Sequence, residues 1–252
     1  MSLDERSKHL RRLIVRALEG GNRGHVGASM SLVEIMRVLY DDIARPDDRI
    51  ILSKGHGCLA QYALLADKGV IPLEELDRFC RFDGLVGGHP TRGIPGIHGT
   101  TGALGHGLSV GVGMALAAPS HRVFVVLGDG ELGEGSVWEA AIHAGKHQLG
   151  NLVAIIDANG MQSAGLTREV TDLEPISDKF RAFGWFCHAH AVDGHDVAAL
   201  RHAMKSSKYY PLAIIARTIK GKGLPFAENN LAWHHKNSFT REEIAAMKEA
   251  LA

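Results

Sequence analysis

The chain has 252 residues, with 28 basic and 28 acidic side chains, and so carries no formal net charge at neutral pH. That balance argues against nucleic acid or an anionic membrane as the main partner, because both are gripped by surplus positive charge. No apolar run reaches the roughly eighteen residues of a membrane-spanning helix, the start does not read as a secretion signal, and Cys58, Cys80 and Cys187 have neither disulfide-framework nor metal-ligand spacing; a reducing cytoplasm is the expected setting.

Apolar spacing predicts a helix over 3–18 that ends at Gly20-Gly21, and Ser31-Leu32-Val33-Glu34 reads as a capping box opening a second helix to Tyr40. A strand over 49–53, a helix over 57–68 and a short helix after Pro72 follow. Residues 104–118 read as a buried helix rich in small residues. The apolar runs 123–127 and 152–157 suit buried parallel strands, with a helix over 136–148 between them. Next come a helix over 177–183, a strand over 185–192, a helix over 195–207 and a strand over 212–219. Thr240-Arg241-Glu242-Glu243 caps a last amphipathic helix that is expected to end the chain. Strands alternating with helices predict an α/β fold, a parallel sheet with helices on both faces, forming one domain over 1–252.

Glycine is unevenly spread. Of 30 glycines, 11 fall between Gly84 and Gly113, mixed with His, Pro, Ile and Leu rather than with Ser. This predicts an ordered loop whose backbone turns tightly or approaches a ligand; a flexible linker is the alternative.

In an open α/β sheet, ligands bind beyond the carboxyl ends of the strands. The strand 123–127 runs into Gly128-Asp129-Gly130-Glu131-Leu132-Gly133-Glu134 and then a helix, formally the glycine pattern of a dinucleotide-binding turn, with Asp157 where a ribose-binding acid would stand. An NAD-dependent oxidoreductase is therefore one reading. The carboxylates of Asp129, Glu131 and Glu134 count against it, because they repel a diphosphate unless a divalent cation lies between. Asp129 and Asn159 could face such a cation, in an oxygen-rich site suited to Mg²⁺ or Ca²⁺; alternatively Asp129 caps the helix that follows.

Gly128-Asp129-Gly130, twenty-seven residues and then Ala158-Asn159 resemble the thiamine-diphosphate signature, with Ala158 where the family has a first asparagine. Alone, that signature would also fit deoxyxylulose-phosphate synthase or a keto-acid dehydrogenase component. Gly24-His25, the run from Arg49 to Gly57 containing Lys54-Gly55-His56, Gly88-His89-Pro90, Thr100 to Gly105, Gly130 to Ala140, Lys220-Gly221-Lys222-Gly223 and Trp233-His234 resemble transketolase segments in the same order, from near residue 10 to about 240.

The resemblance implies a thiamine diphosphate-binding fold and a set of roles. Asp129, Asn159 and the carbonyl of Met161 would hold Mg²⁺. Lys54, His56, Gly130 and Lys220 would contact diphosphate, and Gly102, Ala103 and Leu104 would lie along the cofactor. His25, His56, His89 and His234 would face substrate, acting as imidazoles that titrate near neutrality. Glu134 would link paired active sites. The glutamate that activates the aminopyrimidine and the arginines that recognise sugar phosphate belong, in the family, to parts beyond this domain. The chain is thus expected to be the amino-terminal subunit of a two-gene transketolase, paired with a pyrimidine-domain subunit, as α2β2, acting on sugar phosphates in the cytoplasm. A thiamine-diphosphate-binding regulatory module without catalysis is the non-enzyme alternative.

Other readings stay open for single residues. His25 could be a cation at a helix C-terminus, and His56 could pack in a turn. His98 and His106 read as structural, His188 and His190 as strand residues without a metal role, and Lys222 as a solvated charge.

Overall fold

The computed structural model describes residues 3–205 and 209–252. Its main sheet is built from β1 (Arg49–Leu52), β2 (Val123–Gly128), β3 (Leu152–Ala158), β6 (Phe186–Cys187), β7 (Val192–Asp193) and β8 (Leu212–Arg217), in the order β1-β2-β3-β8-β6 with β7 also on β8. All its pairings are parallel. A separate antiparallel hairpin joins β4 (Met161–Gln162) and β5 (Gly165–Leu166).

β2 and β3 are buried along their whole length, which explains their unbroken apolar sequences. Successive side chains nevertheless point to opposite faces. Phe124, Val126, Val153 and Ile155 join a core with α1 (Glu5–Gly21), α2 (Val26–Ser31), α3 (Val33–Val38) and α4 (Cys58–Asp67). Val125, Leu127, Ala154 and Ile156 join a second core with α5 (His106–Ala117), α6 (Gly135–Lys146) and, beyond the short α7 (Thr167–Val170), α8 (Ile176–Ala182). The expected helices on both faces are present. So is the terminal capping box, which opens α10 (Arg241–Ala250) after α9 (Val197–Ala203).

Three expectations need correction. The Ser31–Glu34 capping box does not exist: Ser31 is the last residue of α2, its hydroxyl donates to Ala28 O and Asp157, and Glu34 is buried in a salt bridge. Tertiary partners took both side chains. The strand expected over 185–192 is two fragments, since Cys187 sits opposite Ala213 and Val192 opposite Ala216, forcing extra residues to loop out. The helix expected from 104 starts at His106 because Gly105 adopts φ 82°, a left-handed conformation. The expected end of the helix over 195–207 lies outside the described residues; the part described runs Val197–Ala203, capped by Asp196.

The salt bridge that took Glu34 matters for the site. Arg11 Nη1 and Nη2 donate to Glu34 at 2.6 and 2.9 Å, and His195 Nδ1 lies 2.8 Å from the same carboxylate. On the far side, Arg11 Nε donates to Lys222 O at 2.8 Å, and His195 Nε2 accepts from Ile219 N at 2.8 Å. Since Nε2 accepts, Nδ1 carries the proton and donates to Glu34. The network therefore grips the backbone on both sides of Lys220.

Burial pushes Glu34 up, but the hydrogen bonds from Arg11 and His195 outweigh it and hold the carboxyl at about 2. A depressed carboxylate stabilises the fold above its unfolded value and loses that contribution as pH falls. Glu34→Gln, which strands a buried guanidinium, is expected to cost about 3–5 kcal/mol at pH 7. The gap to wild type should narrow as pH falls from 4.5 toward about 2; urea titrations across that range check it, and a gap independent of pH would contradict the assignment.

Candidate active site

The carboxyl ends of four adjacent strands converge. Lys54 follows β1, Asp129 follows β2, Asn159 follows β3, and Lys220 lies three residues beyond β8. Together with His25, His56, His89 and His234 they line a cavity of about 430 Å³, which also receives Gly102, Leu104, Gly130, Glu134 and Met161. Ala103 is the one expected site residue outside the lining; it is exposed in the turn between Gly102 and Gly105. The glycine-rich segment is not a linker. Tyr62 donates to His89 O at 2.9 Å, Thr101 N to Pro90 O at 3.1 Å, and Ile50 N to His98 Nδ1 at 3.0 Å.

Asp157 organises the floor. It is fully buried and accepts from Lys54 Nζ at 2.5 Å, Ser31 Oγ at 2.6 Å, Asn159 Nδ2 at 3.3 Å and the Thr218 hydroxyl. Burial pushes its carboxyl up, but Lys54 and these donors outweigh it and hold it below the ordinary range. Glu131 is likewise buried, accepting from Ser53 Oγ at 2.5 Å, Gly105 N at 2.9 Å and Gly128 N at 3.1 Å.

These two acids remove the dinucleotide-binding reading. The Gly128 amide, in the turn that would meet a pyrophosphate, faces a carboxylate, and Asp157 is enclosed where a ribose-binding acid would need to be reachable.

Asp129 differs from both. Its oxygens accept from Gly130 N at 2.9 Å and Gly160 N at 2.6 Å, so it caps the 3₁₀ turn Gly130–Gly133 rather than α6. It has no salt bridge to a described residue. Burial, and the nearby charge of Asp157, push it up to about 6. Asn159 Oδ1 accepts from Met161 N at 3.1 Å, and Lys220 Nζ donates to Met161 O at 2.9 Å. Burial, and then the charge of Lys54, push Lys220 down to about 8. A buried carboxylate short of a cation beside two buried ammonium groups is a donor set that fits a diphosphate with a divalent ion.

Five imidazoles crowd the mouth. His25 is 5.3 Å from His56, 6.3 Å from His89, 5.9 Å from His234 and 4.3 Å from His235, between ring centroids. Burial and the neighbouring rings push His25 down to about 3; burial and the charges of Lys220 and Lys54 push His234 down to about 4. His56 and His89 are lowered as well, chiefly by burial. The expectation of imidazoles titrating near neutrality is therefore corrected, as is the reading of His25 as a helix-end cation: burial and neighbouring charges push all four rings toward the neutral form. His234 Nδ1 is buried without a hydrogen-bond partner among the described residues.

Sequence reading named the Glu131 carboxylate without a role and missed Gln162 and Ser163, which line the cavity, and His235. The His234-His235 doublet was the available signal for the last. Lys222 is not merely solvated, since it lies 3.6 Å from Glu228. Among the described residues no cluster of three His, Cys, Asp or Glu could hold a metal, so His188 and His190 do not gain a third ligand. No helix among them is long and apolar enough to cross a membrane.

A parallel sheet covered on both faces, with two buried lysines and a histidine cluster around a cavity at its carboxyl edge, defines an α/β domain whose strand ends converge on one pocket. Residues 4–252 match the family model described as transketolase, thiamine diphosphate binding domain. The chain is 40% identical to one of the subunits named for the apulose-4-phosphate transketolase of Phocaeicola vulgatus, over 98% of this chain and 93% of the relative. It is 40% identical to the 6-deoxy-6-sulfo-D-fructose transketolase subunit SqwG of a Clostridium species, over 93% and 91%. Transketolase from Leishmania mexicana superposes with a TM-score of 0.90 at 30% identity, covering all of this chain and 41% of that one. The chain spans about two fifths of that solved enzyme. It belongs to the transketolase family of transferases, through the thiamine diphosphate-binding domain.

The cluster's electrostatics give a direct check. In ¹⁵N-NMR of the isolated chain, His25 and His234 are expected to stay neutral from pH 8 to about 5, since their values lie near 3 and 4. Titration of either ring near 6.5 would refute it.

Proposed function

We propose that this chain is the amino-terminal subunit of a transketolase that uses thiamine diphosphate and Mg²⁺, with Ca²⁺ able to substitute, and transfers a two-carbon ketol unit from a ketose phosphate to an aldose phosphate. One observation carries the reading: four strand ends deliver Lys54, Asp129, Asn159 and Lys220 into one cavity beneath a histidine cluster. In it, Asp129, Asn159 and the Met161 carbonyl hold the metal, while Lys54, His56 and Lys220, with the Gly130 backbone, meet the diphosphate. Lys220 Nζ donates to the same Met161 O that would bind the cation, so the ammonium stands beside the metal position and the phosphate it would meet.

When bound, the cofactor supplies the electron sink for carbon–carbon bond cleavage. The chain's own residues orient and exclude. A neutral imidazole donates from one nitrogen and accepts at the other, so His25, His56, His89 and His234 can grip sugar hydroxyls and accept a proton from one of them. Gly102, at φ 148°, holds the backbone against the His89 ring, which lies 3.4 Å from where a Cβ would stand. Ala103 and Leu104 border the same segment, and Glu134, exposed at the lip, is the residue proposed to link paired sites.

Catalysis is proposed to need a partner carrying the pyrimidine domain, in an α2β2 assembly in the cytoplasm. Two relatives of matching length are named as subunits. A face of α5 and α6 exposes Val110, Leu116 and Ile142, apolar side chains that a partner or second copy would cover.

Thermal unfolding tests the site. Thiamine diphosphate with Mg²⁺ at a hundredfold excess over its dissociation constant should stabilise the chain by about 2.7 kcal/mol, and thiamine diphosphate alone by much less. Stabilisation by NAD(H) alone would sink the reading. Asp129→Ala should abolish the metal-dependent part; an unchanged response rules out Asp129 as ligand. Co-expression with a pyrimidine-domain subunit should yield ketol transfer, and its failure to pair leaves a binding module without catalysis.

A further inference from the structure

A second cavity, of about 470 Å³, shares His25 and His89 with the first and adds His235. Its far wall carries Arg23 and Arg81, and no carboxylate lines it. Arg81 is held in place: Nε and Nη2 both donate to Gly20 O, at 3.1 and 2.8 Å, which leaves Nη1 without a partner among the described residues. Arg23 is exposed and makes no hydrogen bond or salt bridge to a described residue. The nearby acids are engaged elsewhere, Asp77 with Arg16 at 2.5 Å and Asp83 with Arg78 at 2.9 Å. Two guanidinium groups thus stand beyond the imidazoles without a salt bridge to a described residue, Arg81 feeling only the more distant charge of Asp83.

We propose that Arg23 and Arg81 form an anion subsite for the terminal oxyanion, phosphate or sulfonate, of a small polyhydroxylated substrate whose hydroxyls lie along His25, His89 and His235. This deepens the transketolase reading and rests on it. Planar guanidinium groups present paired donors that match a tetrahedral oxyanion. A cavity of this size holds a molecule of a few carbons. The positive wall without acids attracts the charged end, while His25 and His89, held neutral chiefly by burial, are left to bind hydroxyls. Substrate choice is thereby set partly on this chain, and not wholly on its partner.

The test uses the full chain, D-ribose 5-phosphate and D-ribose as probes, and the ring signals of His25 and His235 at matched ionic strength. The phosphorylated sugar is expected to bind about tenfold more tightly, and Arg23→Gln and Arg81→Gln each to erase most of that preference. Arg201→Gln, which lines neither cavity, should leave it intact. Inorganic sulfate should compete with D-ribose 5-phosphate but not with D-ribose. Equal binding of the two sugars, or a preference that survives the double substitution R23Q/R81Q, overturns the subsite. The parent reading fails separately: loss of stabilisation by thiamine diphosphate and Mg²⁺ in the unsubstituted chain sinks it whatever the arginines do, whereas R23Q and R81Q are expected to keep that stabilisation.

Discussion

The Asp157 carboxylate holds the rest of the site in place. It is buried at the end of β3 and accepts from Lys54 after β1, from Ser31 at the end of α2, from Thr218 after β8 and from Asn159 after β3 itself. A parallel sheet fixes strand spacing but not how the loops at its edge converge. One acid that collects donors from three separate segments does fix it. A buried charge without such partners would be costly; with four donors, one of them an ammonium, it becomes a rigid hub. Asp129, one strand away, lacks that support and accepts only from the backbone amides of Gly130 and Gly160.

The same low-dielectric environment shapes the titrating groups that line the cavity, in opposite senses. It raises Asp129 toward about 6, lowers Lys220 toward about 8, and lowers His25 and His234 to about 3 and 4. Each of these groups is driven toward its neutral form because each lacks a full complement of opposite charge. An anion beside the lysines and a cation beside Asp129 would relieve both at once, so their binding is thermodynamically coupled. Neutral imidazoles above that pair of charges can hydrogen-bond to a polyol without repelling the cation below.

Much of this was legible in the residues, for identifiable reasons. Apolar runs bounded by turns disclose buried strands, and a glycine-rich segment containing histidines discloses an ordered loop, part of which lines the cavity. The signature Gly128-Asp129-Gly130 to Asn159 places two strand ends side by side because its spacing spans one helix and one strand. Properties created by tertiary contact were not legible. Ser31 and Glu34 have a capping spacing, but Asp157 and Arg11 compete for them. His25 and its neighbours carry ordinary imidazole chemistry in sequence, and only their burial and crowding make them neutral. Arg23 and Arg81 are fifty-eight residues apart, and nothing in either neighbourhood announces a shared wall.

The distribution of acids bears on the proposal of a partner. The carboxylates that line the cofactor cavity are Asp129, Glu131 and Glu134. Glu131 is fully engaged by Ser53, Gly105 and Gly128, and taking up a proton would break bonds that order the turn after β2 and the start of α5. Asp129 is committed to backbone amides and, in the proposed function, to a cation. Glu134 is exposed at the lip. Among the lining carboxylates only Asp129 combines burial with unused lone pairs, and the proposed function commits those to a cation; the lowered histidines are weaker bases than free imidazole. A group that must exchange a proton with a buried ring nitrogen needs an acid of its own. In the proposed function that acid is left to the second subunit.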